Sequence, residues 1–226
     1  MKENCVYRYT CKQDCNHCSG YFPDAITSKL EFAYRDNRVR NPGWKKQWWY
    51  LVYFVLSAQA TVEATEQATA DVFEKYPRPI DLANADWKEL EPMLAKVRFK
   101  HQKALRLIGC ANVFLENNKQ LPRTMEELKK YPGVGDKVAG CILNWAFNLP
   151  EAGVDVHVLR VSKRLGLVPE RASAKKATTI LKDIFKDETH IVSTGLFWLG
   201  YYGTCTARGC NKATCPLRKI CGGYDG

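Results

Sequence analysis

TMEELKKYPGVGDKVAGCILNWAFNLPEAGVDVHVLR, residues 124–160, decides how the rest of the chain is read. Thr124 can cap a short helix, and Glu127, three positions on, completes a capping box. That helix runs to about Lys130. Pro132 and Gly133 stop it, because proline lacks an N–H and glycine tolerates positive φ. Val134 and Gly135 form a tight hairpin, and a second helix runs from about Asp136 to Phe147. Val138, Cys141, Ile142 and Trp145 share one face of it at helical spacing. The product is helix, glycine hairpin, helix. Amides around Gly133 and Gly135 lie at a helix N-terminus, where an anion such as a DNA phosphate can bind.

Lys137 stands in the first turn of the second helix, where the positive end of the helix dipole opposes its charge. Asp136 beside it acts in the opposite sense. Eighteen residues on comes Asp155, in VDVH, placed to cap the next helix. A lysine nucleophile works as the neutral amine, and a carboxylate can accept protons and steady a developing cation. Lys137 and Asp155 are therefore a candidate nucleophile–carboxylate pair. On spacing alone, a surface lysine and an N-cap aspartate is the plainer reading.

Working outward, the 226 residues suffice for a sizeable core and one or two domains. Hydrophobic residues make up 46%, which excludes a disordered chain. The net charge of +10 points to a polyanionic partner, nucleic acid before an acidic membrane, against the plainer reading of a basic soluble protein. No charged segment followed by an apolar one opens the chain. The longest apolar stretch, Trp48–Ala58, is too short to span a bilayer. The expectation is a soluble, intracellular protein of the cytoplasm or nucleoid. Ten cysteines include one cluster at Cys5, Cys11, Cys15 and Cys18, and another at Cys205, Cys210, Cys215 and Cys221. Without a secretion signal, such clusters read as metal ligands rather than disulfides. Cys110 and Cys141 stand alone on apolar helical faces and read as core.

Taken in order, a helix is expected over 24–36, then a basic turn, NRVRNPG, as a boundary. WKKQWWYLVYFVLSAQA reads as a buried helix. Helices follow over 61–76, 87–95 and 100–117, the last with Leu105, Ile108, Cys110 and Phe114 as its apolar positions. YPRPIDLANAD, between the first two of these, reads as a loop. After Asp155, Val158, Val161 and Leu165 face inward while Arg160, Lys163 and Arg164 stay in water, and Gly166 ends the helix. Two more helices are expected over 173–186 and 189–201. No run alternates in the manner of a strand, so the fold class is all-α.

YPGVGDKVAG (131–140), VDVHVLRVSKR (154–164), LSAQAT (56–61) and the cysteine tail opening TCTARGC (204–210) resemble the endonuclease III family of DNA glycosylases, over roughly residues 45–221. The resemblance implies a two-lobed helix–hairpin–helix glycosylase fold. Residues 1–40 would belong to a cluster lobe, 41–150 to a six-helix barrel containing the hairpin motif (124–147), and 151–226 to the rest of the cluster lobe. DNA would lie between the lobes, with Lys137 on one wall and Asp155 at the junction. The family tail pattern is C-x6-C-x2-C-x5-C. Here it is C-x4-C-x4-C-x5-C, with only the second cysteine displaced. Four thiolates can hold a [4Fe–4S] cluster or a zinc ion, and the resemblance favours the cluster. The N-terminal four could form a second site, zinc or iron–sulfur, or be free thiols.

For DNA, a base must leave the stack before its sugar can be attacked. Gln59 matches the family glutamine that fills the gap, with a buried helix glutamine as the alternative, and Phe99, in RFKHQKA, falls near the family wedge position. His157 matches a histidine near the flipped nucleotide's phosphate, with a core or capping histidine as the alternative. Gly133, Val134 and Gly135 would hold backbone, and Arg208 and Lys212 in the tail would reach phosphates. The implied activity is a bifunctional glycosylase and AP lyase of base excision repair, removing damaged, oxidised pyrimidines. Its partner is double-stranded DNA bearing a damaged base or an abasic site, its cofactor a [4Fe–4S] cluster, and it acts as a monomer. A monofunctional thymine or uracil mismatch glycosylase and a non-catalytic hairpin module are the alternatives. Lys137 argues against the first, and the Lys137–Asp155 pair against the second.

Overall fold

The computed structural model describes residues 26–33, 47–218 and Cys221. Cys5, Cys11, Cys15 and Cys18, and with them the expected second metal site, lie outside the described residues. So does the basic turn before Trp44. Within the described residues the secondary structure is helical, apart from one two-residue antiparallel pair, and the expected all-α class holds. The chain divides into two compact units, one of residues 47–147 and one that joins 26–33 to 148–218 and Cys221.

The first unit is built on α2 (Gln47–Ser57), which packs on α3 (Val62–Lys75), α6 (Lys100–Glu116) and α8 (Asp136–Phe147). α2 is apolar around most of its circumference and buries Trp48, Leu51, Val52, Phe54, Val55 and Leu56. A helix apolar on several faces must be central. Trp48 meets Phe73 edge-on at 5.0 Å, and Phe54 meets Trp145 at 6.0 Å. Thr61 caps α3 by accepting from the Ala64 N–H.

The YPRPIDLANAD segment is not a plain loop. It holds α4 (Pro79–Ala83), because Pro79 supplies a helical φ at the first position and Asp81 accepts from both the Arg78 N–H and its guanidinium. A four-residue α5 (Trp87–Leu90) and a 3-10 turn (Glu91–Leu94) follow. On α6 the buried stripe is Lys103, Ala104, Leu107, Cys110, Ala111 and Phe114. Leu105, expected inside, is 46% exposed, and the inward position is taken by Lys103 at 1%. α7 (Met125–Leu128) is capped as expected, with Thr124 accepting from the Glu127 N–H at 3.4 Å. The reciprocal half of the capping box differs: the Glu127 carboxylate accepts from the Thr124 hydroxyl.

In the second unit, the helix over 26–33, α1, buries Ile26 and Leu30 one turn apart. They join a core built from α9 (Val156–Arg164), α10 (Ala174–Phe185) and α11 (Thr189–Tyr201). Leu30 lies so close to Gly195 of α11 that a Cβ there would sit 2.6 Å from the leucine Cβ. α9 ends at Gly166, whose φ of +70° suits glycine. Beyond α11 the tail forms β1 (Cys205–Thr206) against β2 (Gly209–Cys210). No helix among the described residues is long and apolar enough to cross a membrane.

Candidate functional site

The glycine hairpin is held from below by α6. Cys110 S–H donates to the Pro132 carbonyl at 3.2 Å, and a Cβ on Gly109 would come within 2.9 Å of Pro132 Cγ. Burial pushes the Cys110 thiol up to about 12, so it stays a neutral donor. Gly133 has φ +81° and lies over the Arg106 side chain, whose Cδ would be 2.7 Å from an added Cβ. The Val134 side chain is buried, and its N–H closes a turn onto the Tyr131 carbonyl. A Cβ on Gly135 would meet nothing within 4 Å. Packing within the chain therefore gives no reason for glycine there, whereas close approach by another molecule's backbone does. Gly135 also supplies the first carbonyl of α8, accepting from Ala139, so first-turn amides precede the helix's own hydrogen-bond ladder.

Lys137 rises from that first turn, half-buried. Its Nζ donates to Ser57 Oγ at 3.2 Å and lies 5.9 Å from the Phe54 ring centroid. Ser57 in turn donates to the Phe54 carbonyl at 2.9 Å. The Asp136 carboxylate pairs with Lys129 at 2.8 Å. Ser57 closes α2, and Gln59, two residues on, is exposed with φ +54°. Phe99 is 49% exposed, also left-handed at φ +58°, and stacks under the Arg98 guanidinium at 5.5 Å.

Sequence reasoning missed Lys103. Its Nζ donates to the Leu56 carbonyl at 2.7 Å and to the Ala58 carbonyl at 2.6 Å. Burial first, then the charges of Arg106 and Lys137, bring its pKa down to about 8. A lysine so perturbed has the usual mark of a nucleophile. Burial and two carbonyls on the nitrogen rule that role out for Lys103. The signal was present in the sequence: Lys103 shares a helical face with Leu107, Cys110 and Phe114.

In the other unit, Asp155 caps α9, and its Oδ1 accepts from the His157 and Val158 N–H groups, each at 2.9 Å. The His157 ring packs edge-on against Phe197 at 5.7 Å and Tyr201 at 6.1 Å, with Arg160 Nη2 3.3 Å from its Nδ1. Arg160 and Arg164 are not in water as expected. Both are half-buried and tie α9 to the tail. Arg160 donates to the Gly200 and Cys205 carbonyls, while Arg164 reaches the Thr206 and Ala207 carbonyls and Cys205 Sγ, the last at 3.3 Å. Arg208 and Lys212 are exposed on the tail. Lys137 and Asp155 thus belong to different units.

A sequence model of the HhH-GPD superfamily of base excision DNA repair proteins matches residues 52–187. Endonuclease III of Bacillus subtilis (strain 168) is 32% identical over 173 residues, covering 76% of this chain and 78% of its own. The chain belongs to the endonuclease III family. Endonuclease III of Rickettsia prowazekii (strain Madrid E) is 33% identical over 186 residues, covering 80% of this chain and 85% of that one. A non-covalent endonuclease III–DNA complex superposes with a TM-score of 0.77 at 28% identity, over 90% of this chain and 97% of that one. A trapped covalent endonuclease III–DNA intermediate gives 0.75 at 29%, with the same coverage.

The endonuclease III family implies an iron–sulfur cluster on the tail cysteines, and their chemistry fits one. Cys205 and Cys215 are buried in the unit's core. Burial pushes the Cys215 thiol up to about 11, and Cys205 and Cys210 face each other across the β1–β2 pair. A guanidinium N–H on Cys205 Sγ is the kind of donor that stabilises a ligating thiolate. Among the described residues no three His, Cys, Asp or Glu side chains are already drawn together as a metal-ligand set. The fit is one of donor type and neighbourhood.

Proposed function

We infer that Lys137 is the nucleophile of this enzyme. As a member of the endonuclease III family, the chain is a base excision repair DNA glycosylase with AP lyase activity, acting on damaged bases in double-stranded DNA. Its substrates are oxidised pyrimidines. The observation that carries the assignment is the placement of Lys137, a half-buried amine directly after an open glycine hairpin. The hairpin amides bind a phosphate of the damaged strand, which brings the sugar of the flipped nucleotide to the lysine. Gln59 fills the vacated stack, and Phe99 wedges beside it. Arg208, Lys212 and His157 engage phosphates.

Lys137 Nζ, as the free amine, attacks C1′ of the flipped nucleotide. The bond from C1′ to the base breaks, and the base leaves with a proton. The nitrogen loses its protons as the sugar ring opens, giving a C1′=N Schiff base. Loss of a C2′ proton then expels the 3′ phosphate, which is β-elimination. Asp155 accepts a proton or steadies the oxocarbenium-like charge. Cys205, Cys210, Cys215 and Cys221 would hold a [4Fe–4S] cluster whose contribution is structural and electrostatic, with Arg164 on its first sulfur. The assignment is tested by borohydride trapping on a duplex with an oxidised pyrimidine. The parent cross-links, while Lys137→Gln binds the duplex but does not. A glutamine variant that traps like the parent would overturn it.

A further inference from the structure

Lys103 is a full-length cationic side chain on the buried face of α6, in a stripe where leucine or methionine would pack without desolvation. The charged groups that act on it are Arg106 and Lys137, both cationic. What holds it there is a pair of carbonyls, Leu56 and Ala58, at 2.7 and 2.6 Å. These belong to the last turn of α2 and the residue just past it, where carbonyls have no helical donor. One residue further on, Gln59 has φ +54°, a conformation that disfavours non-glycine residues. The one backbone bond inside the turn, from Ala60 N–H to the Ser57 carbonyl, is long at 3.3 Å. The turn is thus clamped mainly by a side chain that arrives from 45 residues away.

We propose that Lys103 is a positioning residue for the lyase reaction: by gripping the Leu56 and Ala58 carbonyls it fixes the Ser57–Gln59 turn, which carries both the hydroxyl that holds Lys137 and the glutamine that fills the vacated stack. This rests on Lys137 being the nucleophile. Two effects reach Lys137 from Lys103. One is geometric, through Ser57 Oγ. The other is the repulsion between two neighbouring ammonium groups, which disappears when Lys103 loses its proton near pH 8. Deprotonation also turns the grip from charge-assisted to neutral hydrogen bonds. The trapping rate of the parent therefore carries a limb that follows the Lys103 proton.

The test measures borohydride trapping on a duplex with a preformed abasic site across about pH 6 to 10, alongside affinity for a tetrahydrofuran-site duplex and thermal unfolding. Lys103→Met should fold, bind within about threefold of the parent, trap at least about tenfold more slowly and lose the limb near pH 8. Lys103→Arg stays charged at every pH used, so it should recover much of the rate while still lacking that limb. If the methionine variant does not fold, Lys103→Gln takes its place, since it keeps a donor and removes the charge. A folded variant with the parent's rate and pH profile overturns the inference. So does one slowed equally at all pH with the limb intact, because that reports lost packing alone. Lys137→Gln runs in parallel. If it traps, the nucleophile assignment falls, and this inference with it; if it does not, a parental Lys103 variant refutes the positioning role by itself.

Discussion

Replacing Asp155 separates a helix cap from a catalytic carboxylate. Its Oδ1 accepts two N–H groups in the first turn of α9, at 2.9 Å each, so Asp155→Ala leaves both without their partner. Loss of an N-cap side chain costs roughly 0.5–2 kcal/mol, and two amides on one oxygen place this case near the top, about 2 kcal/mol. In a chain of this size that lowers the melting temperature by about 4–8 °C. Asp155→Asn keeps an oxygen in the same place and should stay within about 0.5 kcal/mol of the parent. Both variants lose the carboxylate, so both should trap at least about a hundredfold more slowly. Urea unfolding and single-turnover trapping on the same preparations give the two numbers. If asparagine is as destabilising as alanine, the capping argument is wrong. If asparagine traps at the parent's rate, Asp155 is a cap and nothing more.

The pKa of Lys103 is lowered in the folded protein, to about 8 from 10.5, so its contribution to stability is fully present above the unfolded value and lost as pH falls through about 8. Urea unfolding of the parent, referenced to Lys103→Met, should gain up to about 3 kcal/mol between those limits, and a flat difference would refute the burial cost. Gly133→Ala should destabilise by about 1 kcal/mol or more, since it forces positive φ onto alanine against Arg106. Gly135→Ala should leave stability within about 0.5 kcal/mol and weaken duplex binding, because its Cβ enters open space; equal effects of the two in both assays would refute the distinction. Protein purified without oxygen should be brown and hold about four irons per chain if the tail alone binds a cluster, and chelation should bleach it; iron-free protein made the same way would refute the cluster.

Local chemistry made much of the fold legible. Thr61, Thr124 and Asp155 act on amides two or three residues away, and Pro132 and Gly133 act on their own φ, so the helix ends they set could be read from neighbours in the chain. α4 escaped because two prolines outweighed a short Arg78–Asp81 closure in the reading of that segment. The remaining misses share a different cause. Arg160 and Arg164 look like solvent-facing cations in any local window, yet each is drawn inward by carbonyls 40 or more residues away; Lys103 is held by carbonyls as distant, although the apolar face it shares marks it as buried. Which carbonyls lack a helical donor is decided by where other helices stop, and a cation's own neighbours carry no trace of that. At the candidate site, the residues around the hairpin were visible as a pattern. The clamp on the Ser57–Gln59 turn became visible only through tertiary packing.

The contact between Leu30 and Gly195 also sets an order of assembly. Residues 47–147 form a unit from one uninterrupted stretch, so on the ribosome it can close as soon as Phe147 clears the exit tunnel. The other unit needs both α1 and α11, which lie on either side of that stretch in the chain. Leu30 must therefore wait, with its apolar face unsatisfied, until α11 has been made. The hairpin and Lys137 are folded early, while the lobe that carries the cysteine tail is the last to be completed. A truncated chain that stops before α11 would hold a formed hairpin and leave the N-terminal helix in search of a partner.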